Sequence, residues 1–483
     1  MMGRQQKVAK LTTKKDQLIE LPDGVLSTII SMLTLREAVR TSILSKQWRY
    51  IWTCHADLWF DSAKVLGNRA YSTSISNCQP ESDRILQRLK FVERVDRFMH
   101  LRSKGTKIDS LTIHFHLGKD SAPHLDQWIS CAITKGVENI DLDLSESCSF
   151  KMDYSSSSPL EKYKFPYWLL ASTGKNCSVK HLKLASCSLS PRCSCNLTSL
   201  TNIQLQGVNI SDQQLESLIS SCSCLEELSL HQCSDLVSLK FAGPNIQLKL
   251  LRVKECFRLQ KMELCAENLV LFEYIGNFIS FCFKNVPKLA AAFLSFTGEG
   301  RLEGGTFALT RFASDLPELV TLNLVLILTM KIIKLPEDAP KFINVKQLVL
   351  TIFPFNDDDD LLWISYLLKA FPLLHKLQLN LFCPSFIIPR DNQRNLPGCP
   401  HWHLTDLEIN GFYGNQHEVE LVKYLINNLV ELKVLAVGPC QKVYRGCHNW
   451  VHHEAASWYK LRKESVRRWL HSVIPPTVHL KIW

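Results

Sequence analysis

The stretch VKHLKLASC, Val179–Cys187, returns as LEELSLHQC at Leu225–Cys233 and as LKLLRVKEC at Leu248–Cys256. Each copy alternates apolar and polar residues, the period-2 pattern of a strand with one buried face. Similar strands start at Leu111, Ile140, Leu182, Ile203, Leu228, Leu251, Phe272, Phe293, Leu322, Leu348, Leu377, Leu407 and Leu435. From Leu182 to Phe293 the steps are 21, 25, 23, 21 and 21 residues, and from Phe293 to Leu435 they are 29, 26, 29, 30 and 28. A repeat of this size predicts a solenoid, in which each unit supplies one strand and one return segment. No unit can bury its own apolar face, but stacked units can. Upstream the spacing is irregular, 29 and then 42 residues between Leu111 and Leu182, and the Ser-rich Ser155–Ser158 reads as a loop inside that span.

The 483 residues exceed one ordinary core, so the chain holds several domains or an elongated array. An apolar content of 46% is that of a folded protein, and the net charge of +10 is mild for this length. Arg4, Lys7, Lys10, Lys14 and Lys15 form a basic leader, read as a flexible solvated tail, with a nuclear-import patch as the alternative. It has no interleaved aromatic residues, so nucleic-acid binding gains little support. No apolar run precedes Leu18, and the stretches Leu324–Leu328 and Leu289–Leu294 are too short to cross a bilayer. The expectation is a nuclear or cytoplasmic chain without membrane contact, its 18 cysteines reduced.

A second informative stretch is LPDGVLSTIISMLTLREAVRTSILSKQWRYIW, Leu21–Trp52. Pro22 suits a first helical turn. Val25, Leu26, Ile29, Ile30 and Leu33 follow at helical spacing as one apolar stripe. Thr34 and Glu37 fit a capping box for a second helix, with Val39, Ile43 and Leu44 on its buried side. Ser45 can cap a third helix carrying Leu44, Trp48, Ile51 and Trp52. Three such short helices are too small to bury all this apolar surface, which points to a binding surface or to a cap on a larger core.

In order and spacing the same residues, from Gln17 to Leu58, closely resemble the F-box in its plant form. Gly24 and Thr34 depart from the residues common there, and neither belongs to the apolar stripe. The resemblance implies docking on a Skp-type adaptor, and through it on a cullin-RING scaffold. By position, Leu21, Pro22, Leu26, Ile30, Leu44 and Trp48 would face that adaptor. The repeats resemble the leucine-rich repeat, L-x-x-L-x-L-x-x-N/C, with Cys187, Cys233, Cys256, Cys440 and Asn277 at its N/C position. A small polar group is needed there to bond the backbone of the turning loop, so these cysteines read as structural. LTDLEINGFYGNQHEVELVKYLINNLVELKVLAV, Leu404–Val437, resembles the FBD-type C-terminal region of plant F-box/leucine-rich-repeat proteins. Its helix would bury Val419, Leu421, Val422, Leu425, Ile426 and Leu429.

The expected fold is therefore α/β: a small three-helix F-box, then a leucine-rich-repeat solenoid, a curved parallel sheet with helical or irregular returns. The expected layout is a basic N-terminus (1–16), F-box (17–60), linker (61–85), repeats with a helical cap (86–400), FBD-like repeats (401–440) and a tail (441–483).

Signals for chemistry are weak. Gly298–Gly305 lacks both the final glycine of a dinucleotide loop and the Lys-Ser/Thr of a phosphate loop. The acidic run Asp357–Asp360 reads as a solvated loop. The Cys193/Cys195 and Cys222/Cys224 pairs lack zinc-knuckle spacing. Cys399, His401 and His403, with Cys440, Cys447 and His448, have no specific pattern. No catalytic motif is found, so the expectation is a non-catalytic chain without metal or cofactor. On each strand the residue between the inward leucines points to the concave side. These are Lys183, Gln204, Ser229, Arg252, Glu273, Asn323, Val349, Gln378 and Glu408, mixed in charge, and so candidates for binding an unknown protein substrate and not nucleic acid. The expected function is the substrate-recognition subunit of an SCF-type ubiquitin ligase. The alternatives are a non-proteolytic adaptor-bound scaffold and a small-molecule-dependent sensor on the concave face.

Overall fold

Parallel strands, each stepping to the next through a return segment, account for most of the architecture. The computed structural model describes residues 23–33, 35–43, 48, 55–67, 81–102, 107–146, 161–171, 177–190, 197–241, 247–298, 300–327, 339–353, 361–382, 398, 400–447, 449–452 and 463–482. The chain divides into two units, Met1–Leu189 and Ser190–Trp483.

The first unit opens with the helices Asp23–Ser31 and Leu35–Arg40 and a 3-10 turn, Thr41–Ile43. The expected caps Thr34 and Ser45 lie outside the described residues. Four strands then pair in parallel: β1 (Asp57–Asp61), β2 (Ser110–His114), β3 (Asn139–Asp143) and β4 (His181–Ala185). β1 falls where the sequence suggested the end of the F-box and the start of a linker. Its DLWFD alternates like any other repeat strand, burying Leu58 and Phe60, but in sequence it follows directly on the Trp-rich stretch that resembles the end of an F-box. The helix Glu81–Leu101 buries Phe91, Val92, Val95 and Met99 at helical spacing. It is tied to the helix Ala122–Thr134, where Trp128 Nε1 donates to Asp96 at 2.7 Å.

In the second unit, β5 (Asn202–Gln206), β6 (Glu227–His231), β8 (Leu250–Lys254), β10 (Leu271–Gly276), β12 (Ala291–Phe296), β13 (Thr321–Ile327), β14 (Gln347–Phe353), β15 (Lys376–Leu381), β16 (Asp406–Asn410), β17 (Val434–Gly438) and β20 (His479–Ile482) pair in parallel, in that order. β20 adds a strand where the sequence suggested only a tail. The register aligns Ile203, Leu228, Leu251, Phe272, Ala292, Leu322, Leu348, Leu377, Leu407, Leu435 and Leu480. This row, apart from its last member, is buried and forms the core.

Repeat length selects the return. The three steps of 21–23 residues between Leu228 and Phe293 return through short strands, β7 (Ser238–Phe241), β9 (Lys261–Cys265) and β11 (Ser280–Asn285), which pair into their own parallel sheet. Longer steps make room for helices: Asp212–Ser221, Arg301–Thr310, Trp363–Leu368 and Gln416–Asn428. The helix Asp212–Ser221 starts at a capping box in which Ser211 and Gln214 satisfy each other's backbone N–H.

The buried thiols hold the turns. Cys233 Sγ donates to the Leu205 carbonyl and Cys256 Sγ to the Leu230 carbonyl, 3.7 and 3.9 Å away. Each of these cysteines, like Cys187, follows a residue with positive φ: Gln232, Glu255 and Ser186. Burial pushes the Cys187 thiol up to about 12, so it stays protonated. Toward the end of the chain β16, Gly411, the helix Gln416–Asn428 and β17 follow in the expected order. Gly411 has φ +76°, and a Cβ there would meet the Leu381 carbonyl oxygen at 2.1 Å, so only glycine fits.

Candidate protein-interaction surfaces

The N-terminal helices bury Leu26, Ile30, Ala38 and Trp48 as one cluster, closed by Ile29, Leu33, Val39 and Phe98. Phe98 comes from the helix Glu81–Leu101 and also meets Phe60 of β1 edge to face at 5.4 Å. The assembly is fixed to β1 through polar contacts as well. His55 Nε2 donates to the Leu33 carbonyl at 3.0 Å, and Arg102 Nη2 donates to the His55 carbonyl at 2.6 Å.

This corrects the sequence-based assignment. Leu26, Ile30 and Trp48, expected to face an adaptor, face inward and hold the helices together. Leu21, Pro22 and Leu44 lie outside the described residues. Among the described residues of these helices the exposed apolar side chains are instead Val25 (45%), Met32 (80%) and Ile43 (86%); Val25 had been grouped with the single apolar stripe and Ile43 with the buried side of the second helix. Val25 on the first helix and Met32 in the turn that directly follows it stand seven residues apart, close to two helical turns, and so mark an outer apolar edge beside the inner stripe. The sequence carried the signal: apolar residues at 25, 26, 29, 30, 32 and 33 cover more than one face of a short helix. Near this core, Val39, Phe60, Val65 and Phe98 line an apolar cavity of about 230 Å³, with Arg40 and Arg94 also on its wall.

In the first unit Lys183 lies in register with Asp141 and pairs with it at 3.0 Å. On the second unit's sheet, the face opposite the core carries a row in register: Gln204, Ser229, Arg252, Glu273, Phe293, Asn323, Val349, Gln378 and Glu408. Phe293 stands in this row, and Ala292 takes the inward position assigned to it from sequence. All six residues of β12 are buried, so alternation could not fix its phase.

Only part of the row is open. Gln204 is exposed, and Ser229 and Arg252 are half-buried. Glu273, Asn323, Val349 and Gln378 are buried, and the Glu408 carboxylate is nearly so. These residues are therefore not a free surface for a substrate, contrary to the expectation. One cause is an antiparallel hairpin, β18 (Lys442–Gly446) and β19 (Asn449–His452), docked on this face. Tyr444 stacks on Phe293 with ring centroids 4.1 Å apart, and its hydroxyl donates to Glu273 at 2.5 Å. The Cys447 N–H donates to the same Glu273 oxygen at 2.7 Å, and Arg252 Nε donates to the other at 2.5 Å. Arg252 Nη2 also reaches Cys447 Sγ at 2.6 Å. Lys442 pairs with Glu408. Burial raises the Glu408 carboxyl, but Lys442 and Asn410 more than offset this and hold it below the ordinary glutamate value. Beside the hairpin, buried Asn380 and Asn410 link Gln378, Thr351 and Glu408 by side-chain hydrogen bonds of 2.9–3.1 Å.

Of the residues weighed as a zinc site, His401 is buried and donates from Nε2 to the Phe371 carbonyl at 2.9 Å, and Cys399 and His448 lie outside the described residues. Among the described residues no group of three or more His, Cys, Asp or Glu is placed to hold a metal ion. No helix among them is long and apolar enough to cross a membrane.

An F-box domain model matches residues 18–57, and the model described as At1g61320/AtMIF1, LRR domain, matches residues 99–483. Similar proteins of Arabidopsis thaliana include F-box/LRR-repeat protein At3g03360, 29% identical over 58% of this chain, an alignment that spans 52% of that protein. Putative F-box/LRR-repeat protein At1g56400 is 24% identical over 86% of this chain and 87% of its own length. F-box/FBD/LRR-repeat protein At1g13570 is 23% identical over 87% of this chain and 91% of its own length. An N-terminal helical cluster with an outward apolar stripe, followed by a parallel-strand repeat array matched over most of the chain, places this protein in the F-box/leucine-rich-repeat family, with repeats of the At1g61320/AtMIF1 type.

Proposed function

We propose that this chain is the substrate-recognition subunit of an SCF-type E3 ubiquitin ligase, working in the nucleus or cytoplasm. Its N-terminal helices dock on a Skp-type adaptor, which links them to a cullin-RING scaffold, and its repeats hold a target protein. F-box/LRR proteins are generally non-catalytic adaptors. The contribution of such a subunit is proximity: it raises the concentration of target lysines near the charged ubiquitin-carrying enzyme.

The observation that carries this reading is the double-sided character of the first helix. Its inner stripe, Leu26 and Ile30, is already satisfied within the chain, yet Val25 and Met32 remain in water, as does Ile43 after the second helix. Exposed apolar groups of this kind mark a site that a partner covers. The test is co-purification of the full chain from plant cells with a Skp-type adaptor and a cullin. The unaltered chain should bring down both, and the double substitution Met32→Asp with Ile43→Asp should bring down neither. Retention of the adaptor by that variant would count against the reading.

A further inference from the structure

The hairpin that covers the repeat face is an unusual element energetically. A two-stranded ribbon is marginal in water by itself. β19 is largely exposed and β18 only half-buried, so the hairpin has little core of its own. It is held by the side chains it places on the sheet: Lys442 on Glu408, and Tyr444 on Phe293 and Glu273. Lys442 and Tyr444 are two residues apart on one strand, so both project from the same side of it.

The face beneath is poorly suited to standing empty. With the hairpin lifted, Glu273 would keep Arg252 but lose the Tyr444 hydroxyl and the Cys447 N–H. Phe293 would lose its stacking partner, and Glu408 would keep Asn410 and the more distant Lys376 but lose its nearest cation, Lys442. A buried carboxylate that loses part of its donor set is costly. The face therefore calls for an occupant with a cation for Glu408, an aromatic ring for Phe293 and donors for Glu273.

We propose that Lys442–Cys447 is a built-in stand-in for the target, and that the target is a protein segment of the same chemistry. That segment is extended, with a lysine and a tyrosine two residues apart, followed by a free backbone N–H, and it displaces the hairpin to bind. The proposal rests on reading the repeats as the recogniser, and it adds what is recognised and how the site is guarded. Because the hairpin competes within the chain, the apparent affinity for a target falls in proportion to the fraction of molecules with the face covered. A weakly matched segment is thereby rejected, while one carrying both anchors competes.

The test uses the full chain and one probe, a fluorescein-labelled synthetic peptide of residues 441–452 bearing Cys447→Ser, read by fluorescence polarisation. The double variant Lys442→Ala with Tyr444→Ala weakens the occupant and leaves the face intact. It should bind the peptide at least tenfold more tightly than the unaltered chain does. A peptide that also carries Lys442→Ala and Tyr444→Ala should lose that binding. Tyr444→Ala alone provides a milder release, so a folding defect in the double variant leaves the comparison standing. Amide exchange in β10 and β12 checks that the sheet persists. Equal affinity for the released and unaltered chains, no binding to a released chain with an intact sheet, or binding indifferent to the lysine and tyrosine would each overturn the proposal. Adaptor co-purification is read separately, so retained adaptor with no peptide competition rejects the stand-in alone.

Discussion

The Tyr444 hydroxyl sits 2.5 Å from the carboxylate of Glu273, a residue 171 positions earlier in the chain. The contact joins the hairpin to β10, and the ring of the same tyrosine stacks on Phe293 of β12. A hydrogen bond to a charged group contributes about 1.5–3 kcal/mol. Tyr444→Phe removes the hydroxyl and keeps the ring. Amide exchange in Lys442–Gly446 should quicken by roughly tenfold or more, since every 1.4 kcal/mol is a factor of ten, while exchange in the core strands stays unchanged. Unchanged hairpin exchange would show that this bond does not hold it down.

The inner and outer stripes of the N-terminal helices separate stability from binding. Trp48 and Leu26 are buried in one cluster, so Trp48→Ala should cost about 3–5 kcal/mol and Leu26→Ala about 2–5 kcal/mol to the fold of this segment. Met32→Asp places a charge where the side chain is exposed and should change stability by no more than about 0.5 kcal/mol. Protease resistance and circular dichroism of the variants distinguish the two classes. A large loss of stability on Met32→Asp would contradict the stripe assignment.

Glu418 ties stability to pH. One of its oxygens accepts the backbone N–H groups of Tyr413, Gly414 and Asn415, and the other accepts Asn415 Nδ2. Burial nonetheless raises its carboxyl from 4.5 to about 7, against the pull of those donors. In this range the folded chain holds a proton that the unfolded chain has released. The stabilising contribution is thus fully present below about pH 4.5, declines as pH rises and is gone above about 7. Glu418→Gln has no proton to lose. Its melting temperature should vary less between pH 5 and 8 than that of the unaltered chain, and an identical profile would remove Glu418 as the source.

The solenoid was legible because its signal repeats: a two-residue alternation within each strand and a step of 21–30 residues between strands from Leu182 onward. Cys187, Cys233 and Cys256 were likewise readable, since a fixed position in every unit meets a fixed backbone need. Phase was harder where alternation fails. In β12 every residue is buried, and Phe293 passed for an inward residue. In the first helix, periodicity revealed stripes but not which of them points inward. That choice depends on Phe98, some seventy residues away, and is not a local property. The hairpin was the least legible element. KVYRG has little alternation, and its partners Glu273 and Arg252 lie 174 and 195 residues from Cys447. Of the residues chosen as an open substrate face, those on the second unit's sheet lie in one row, of which the hairpin contacts Arg252, Glu273 and Glu408 while Gln204 stays exposed.

In the proposed function the outward apolar edge of the N-terminal helices joins a second protein. The most direct measurement is calorimetric titration of a purified Skp-type adaptor into the full chain, unaltered and with Met32→Asp and Ile43→Asp. Two lost apolar anchors at about 2 kcal/mol each predict an affinity at least a hundredfold weaker, with the melting temperature of the chain unchanged. Equal affinity in the two proteins at equal stability would contradict the account.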